Sequence, residues 1–68
     1  MKSRHVIAEW DKKSSIWRLR VEQTTKNDLT GEVEVLTLWE GQTDVADPKK
    51  HVLHARDKYK ARSFEIRK

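Results

Sequence analysis

The sequence predicts an α+β fold: a small antiparallel sheet with one helix packed on one face, in the order β-β-β-α-β. Three observations predict it. From Ile16 to Gln23 apolar and polar residues alternate, so Trp17, Leu19 and Val21 share one face while Arg18, Arg20 and Glu22 point the other way. One stretch only, Asp47 to Arg62, repeats its apolar residues at helical spacing. The chain is 68 residues long and lacks cysteine, so it forms one small domain that buries about 60% of its unfolded surface and has no disulfide to staple it.

The first strand spans Arg4 to Trp10, with Val6, Ala8 and Trp10 facing one way and Ile7 lying between His5 and Glu9 on the other. Asp11 to Ser15 is a polar hairpin connection. After Ile16–Gln23 comes a longer polar loop from Thr24 to Gly31. The third strand, Glu32 to Glu40, places Val33, Val35 and Trp39 inward and Glu32 and Glu34 outward, which sets these glutamates opposite Arg18 and Arg20 on the wet face. Leu36 and Leu38 fall on the glutamate side. Either a bulge near Leu36 turns them inward, or they lie on the outer face near Ile7 and Ile16. In the second case the four form an apolar band that a second copy covers as a weak two-fold dimer.

With Pro48 at 0° and about 100° per residue, Val52, Ala55 and Tyr59 fall at about 40°, 340° and 20°, one narrow stripe that packs on the sheet. Asp47 caps this helix, because its carboxylate accepts an orphan N–H and Pro48 has none. Ser63 to Lys68 is a last short strand with Phe64 and Ile66 inward. Trp10, Trp17 and Trp39 all fall on inward positions, and at least two of the three are expected in the core rather than on a base-stacking platform.

Val6-Ile7-Ala8-Glu9-Trp10-Asp11 followed by Ile16-Trp17 resembles the opening hairpin of HicB-like antitoxin domains, which share the element order. That family implies a partial dsRNA-binding or RNase H-like unit that neutralises a toxin partner. The resemblance covers residues 5–17. Beyond it the family's Pro-Gly-Cys type segment and its Gly-Asp-Thr-x-Glu-Glu-Ala helix start give way to the Thr24–Gly31 loop and Asp47-Pro48-Lys49-Lys50. In topology alone, three strands and a helix also resemble the arm-type DNA-binding domains of tyrosine integrases.

A net charge of +4 hides three blocks: +4 over residues 1–21, −6 over 22–47 and +6 over 48–68. Hydrophobic residues make up only 35% and charged ones 38%, and no apolar run is long enough for a signal peptide or a membrane span, so a cytoplasmic protein is expected. No nucleophile motif, phosphate loop or carboxylate pair points to an enzyme, and no cofactor is implied. His51 and His54, with His5 or Asp57, are the best metal set the sequence offers, and chance spacing explains them.

Two functions remain. A nucleic-acid-binding module would hold phosphates through the helix and C-terminal tail with Lys49, Lys50, Arg56, Lys60, Arg67 and Lys68. Lys49 and Lys50 are the informative pair, because cations in a first helical turn oppose the dipole. The alternative is a protein-interaction regulator or inhibitor, of the small charged kind familiar in phage and mobile elements. It would act through Glu32, Glu34, a free sheet edge, the Leu36/Leu38 patch or Leu53, which projects among cations.

Overall fold

Five elements follow one another in the computed structural model, which describes residues 2–68: β1 (Lys2–Asp11), β2 (Ile16–Lys26), β3 (Val33–Thr43), α1 (Lys49–Tyr59) and β4 (Ser63–Arg67). The α+β order is the expected one. The first three strands run longer than their apolar alternation suggests, because β1 pairs with β2 from Lys2↔Thr25 to Asp11↔Ile16 and ladder hydrogen bonds carry the polar ends.

Both hairpin turns are built by side chains. Asp11 Oδ1 accepts the amides of Lys13 and Ser14 at 3.0 and 3.4 Å. Asn27 Oδ1 accepts those of Leu29 and Thr30 at 2.9 and 3.4 Å, and Gly31, at φ 76°, donates its amide to the Asn27 carbonyl. The expected Thr24–Gly31 loop therefore shrinks to a tight turn at the tip of a long β2–β3 hairpin.

The strand order is β3-β2-β1-β4. β1 pairs antiparallel with β2, and β2 with β3, but β4 runs parallel to β1, so the sheet is mixed and not wholly antiparallel. Two hairpins return β3 to the direction of β1, and a helical crossover keeps β4 in the direction of β3. Parallel pairing with β1 follows.

On one face Val6, Ala8, Trp17, Leu19 and Val21 meet Val52 and Ala55 of the helix in a single core, flanked by Trp10, Leu38, Trp39, Tyr59 and Ala61. All three tryptophans take part, and Trp10 and Trp17 sit 5.3 Å apart by ring centroid. Phe64 and Ile66 align with Val6 and Ala8 on this face but stay 37% and 40% exposed at the sheet's edge.

β3 corrects the sequence reading most. Val21 opposes Trp39 while Glu22 opposes Thr37, which leaves Leu38 as the extra residue of a bulge. The bulge expected near Leu36 falls two residues on, at Leu38, and brings both Leu38 and Trp39, but not Leu36, against the core. Before the bulge the parity is reversed. Val33 and Val35, expected inside, lie on the outer face and are 57% and 59% exposed. Leu36 lies on the helix side, yet it is 59% exposed because α1 packs mainly on β1, β2 and β4 and meets β3 through the Tyr59–Trp39 ring pair, beyond the bulge. Ile7, the other half of the supposed dimer band, is buried on the outer face, so the Ile7/Ile16/Leu36/Leu38 band does not form.

Asp47 does accept the amide of Lys49, at 3.0 Å, but the N-cap position itself is Pro48, one residue later than expected. At the other end Lys60 adopts the left-handed conformation, φ 53°. Its amide reaches the Asp57 carbonyl and that of Ala61 reaches Arg56, a Schellman closure that tucks Ala61 against the core.

Candidate nucleic-acid interface

Charge on the outer face of the sheet is largely consumed internally. Arg20 lies 2.7 Å from Glu9 and 3.0 Å from Glu22; Arg67 lies 3.1 Å from Glu9 and 2.7 Å from Glu65; Arg18 lies 3.0 Å from Asp11. Glu65–Arg67–Glu9–Arg20–Glu22 is thus a continuous ladder across β4, β1 and β2. The expected pairing of Arg18 and Arg20 with Glu32 and Glu34 does not occur. The bulge and the longer strands shift the register, so Arg20 faces Glu40, Arg18 faces Gln42, and Glu34 faces Thr25.

Protonation follows the ladder. The hydrogen bond from Arg20, with the charges of Arg20 and Arg67 behind it, holds the Glu9 carboxyl below the usual carboxylate range. Arg18 does the same for Asp11, helped by the turn amides of Ser14 and Lys13. Arg20 is pushed up by Glu22 and Glu9, and Arg67 by Glu65 and Glu9.

The helix presents the contrasting surface. Lys49, Lys50, Lys58 and Lys60 are exposed along it, with Arg62 and Lys68 exposed beyond it. Arg56 is half-buried, 5.7 Å over the Phe64 ring and 3.7 Å from Asp57, and the Lys58 ammonium lies 5.9 Å from the Tyr59 ring. The structure therefore brings Lys49, Lys50, Arg56 and Lys60 together on one element and separates Arg67 from them. Arg67 aligns with Glu9 on the opposite face of the sheet and is held there by two carboxylates. Lys58 is a basic residue of this surface that the expected set does not include; its only signal in the sequence is its place among the other cations of the helix.

The remaining candidates scatter. Leu53 is half-buried and does not project into solvent. Glu32, just before β3, and Glu34, within it, are exposed, and Leu36 and Leu38 no longer share a patch. His51 and His54 are exposed on α1, whereas His5 bonds Ser63 on the far side of the sheet, so the three histidines do not converge. Among the described residues no group of three or more His, Cys, Asp or Glu is arranged to hold a metal ion, and no helix is long and apolar enough to cross a membrane. A depression of about 480 Å³ is lined by Arg18, Leu19, Arg20, Glu40, Gly41 and Gln42, and its arginines are already paired, Arg18 with Asp11 and Arg20 within the ladder.

The fold defines a small α+β unit with a four-stranded mixed sheet and one helix. Comparison with protein families, curated proteins and solved structures returns no match to this chain.

Proposed function

We propose that this protein is a small non-enzymatic nucleic-acid-binding module that holds phosphates against α1. One observation carries the reading: on the outer face of the sheet Arg18, Arg20 and Arg67 are each paired with carboxylates, while Lys49, Lys50 and Lys58 on α1 and Lys60 at its C-cap are exposed and enter none of the ion pairs among the described residues. Lys49 and Lys50 stand at the helix N-terminus, where their charges and the helix dipole both favour a bound anion, although Asp47 already accepts the Lys49 amide. Lys58 and Lys60 extend the surface toward the helix C-terminus, and Arg56 borders it beside Phe64. Arg67 belongs to the ladder and contributes little. Such a surface reads backbone charge and not sequence, because its lysines are flexible point charges without a groove-entering recognition element.

Fluorescence anisotropy with labelled duplex DNA, single-stranded DNA and RNA tests this at about 50 and 200 mM salt. Binding should weaken steeply with salt. Lys49→Gln and Lys50→Gln should each lower the slope of log K against log salt by roughly 1. Arg67→Gln should leave that slope unchanged. No binding at low salt, or binding indifferent to the helix lysines, overturns the proposal.

A further inference from the structure

We infer that the free edge of β3 is a docking edge for a basic, extended segment of another protein, which adds as a fifth strand. Among the described residues, four of the seven large exposed hydrophobic ones lie in the stretch from Leu29 to Leu36: Leu29 at the hairpin tip, 97% exposed, then Val33, Val35 and Leu36. β3 has β2 on one side and no strand on the other, so alternate backbone groups along it lack a ladder partner. Neither face is covered here, since α1 packs elsewhere. A long strand with a bare edge and exposed apolar side chains is a template for strand addition.

The charge on this edge selects the occupant. Glu32, Glu34, Glu40 and Asp44 are exposed and enter none of the ion pairs among the described residues. A second copy would bring the same acidic strand against this one, which like-charge repulsion opposes. The other edge, β4, spans only five residues and carries Arg67 already paired with Glu65 and Glu9. A basic strand is attracted where a copy is repelled. Parity fixes its pattern: before the bulge Val33 and Val35 lie on the outer face and Glu34 on the helix side. The incoming strand therefore carries valine- or isoleucine-like residues outward and lysine or arginine toward Glu34.

The test uses the full chain, isotope-labelled, and two seven-residue peptides, one alternating valine with lysine and one alternating valine with glutamate. NMR titration should show binding of the lysine peptide alone, with shifts concentrated over residues 33–37. The Glu32→Lys/Glu34→Lys double variant, its fold checked by circular dichroism, should lose about tenfold in affinity for that peptide and gain binding of the glutamate peptide. Failure of the lysine peptide to bind, equal binding of both peptides, or shifts centred on α1 would overturn the inference. So would sedimentation showing a wild-type dimer with inter-copy contacts along β3, because a second copy would then fill the edge. These outcomes are independent of nucleic-acid binding, which reads the helix.

Discussion

At the residue scale two backbone positions carry more than their side chains suggest. A Cβ on Gly41 would stand 2.5 and 2.6 Å from two atoms of the Trp39 ring, so the missing side chain is what lets the indole lie flat over β3 and reach Tyr59, 6.3 Å away by ring centroid. Gly41→Ala should displace that ring and cost about 1–3 kcal/mol, as other overpacking changes do. Thermal melting checks it, and an unchanged Tm would mean the ring has another resting place. Lys60 is the second position. A lysine at φ 53° bears a left-handed cost of about 1 kcal/mol that glycine avoids. Lys60→Gly should therefore raise Tm while weakening nucleic-acid binding at low salt. This opposed pair of effects separates the residue's structural role from its proposed functional one.

Among the elements, α1 and the three-strand ladder divide the work. The helix stripe of Val52 and Ala55 closes the core, and its opposite side is free to hold charge. The ladder ties β4, the shortest strand, to β1 through Arg67 and Glu9, and ties β1 to β2 through Arg20. It also sets the acid limb of stability. Glu9 and Asp11 titrate lower folded than unfolded, so their contribution is present above the ordinary carboxylate range and is lost as pH falls through the depressed folded values. Tm should therefore drop below roughly pH 5. Glu9→Gln should flatten that drop, and added salt should shrink it, since these groups are solvent-exposed and screened. A Glu9→Gln profile matching wild type would show that other carboxylates govern acid unfolding.

The whole molecule is long and unevenly supported, 43 × 25 × 16 Å. One part of the sheet lies under α1, and the end of the β2–β3 hairpin extends past it with turn hydrogen bonds and exposed side chains. Amides over residues 23–36 should exchange with solvent well before those of Val6, Ala8, Leu19 and Val21, whose opening requires the core to part. Native-state hydrogen exchange measures this directly, and equal protection of the two regions would mean the hairpin unfolds only with the domain. Strand order also places charge. The acidic β3 lies at one edge, while β4 and the end of the basic chain lie at the other, so the molecule offers two surfaces of opposite sign.

Local pattern alone was enough for the element order, the Trp17/Leu19/Val21 face, the Val52/Ala55 stripe and the basic character of α1. Each depends on side-chain period along one element, which the sequence carries directly. Tertiary structure decided the rest. The parallel seat of β4 beside β1 depends on where the helical crossover sets the chain down. The faces of Val33, Val35 and Leu36 depend on one extra residue at Leu38, and that bulge exists because Leu38 and Trp39 both reach the core. Arg67 left the helix set for the same kind of reason. Its partner Glu9 lies 58 residues earlier in the chain, and only strand pairing makes them neighbours. A period-2 strand that gains one residue exchanges its two faces, so alternation settles the buried face of the unbroken β2 and fails in β3, where the bulge interrupts it.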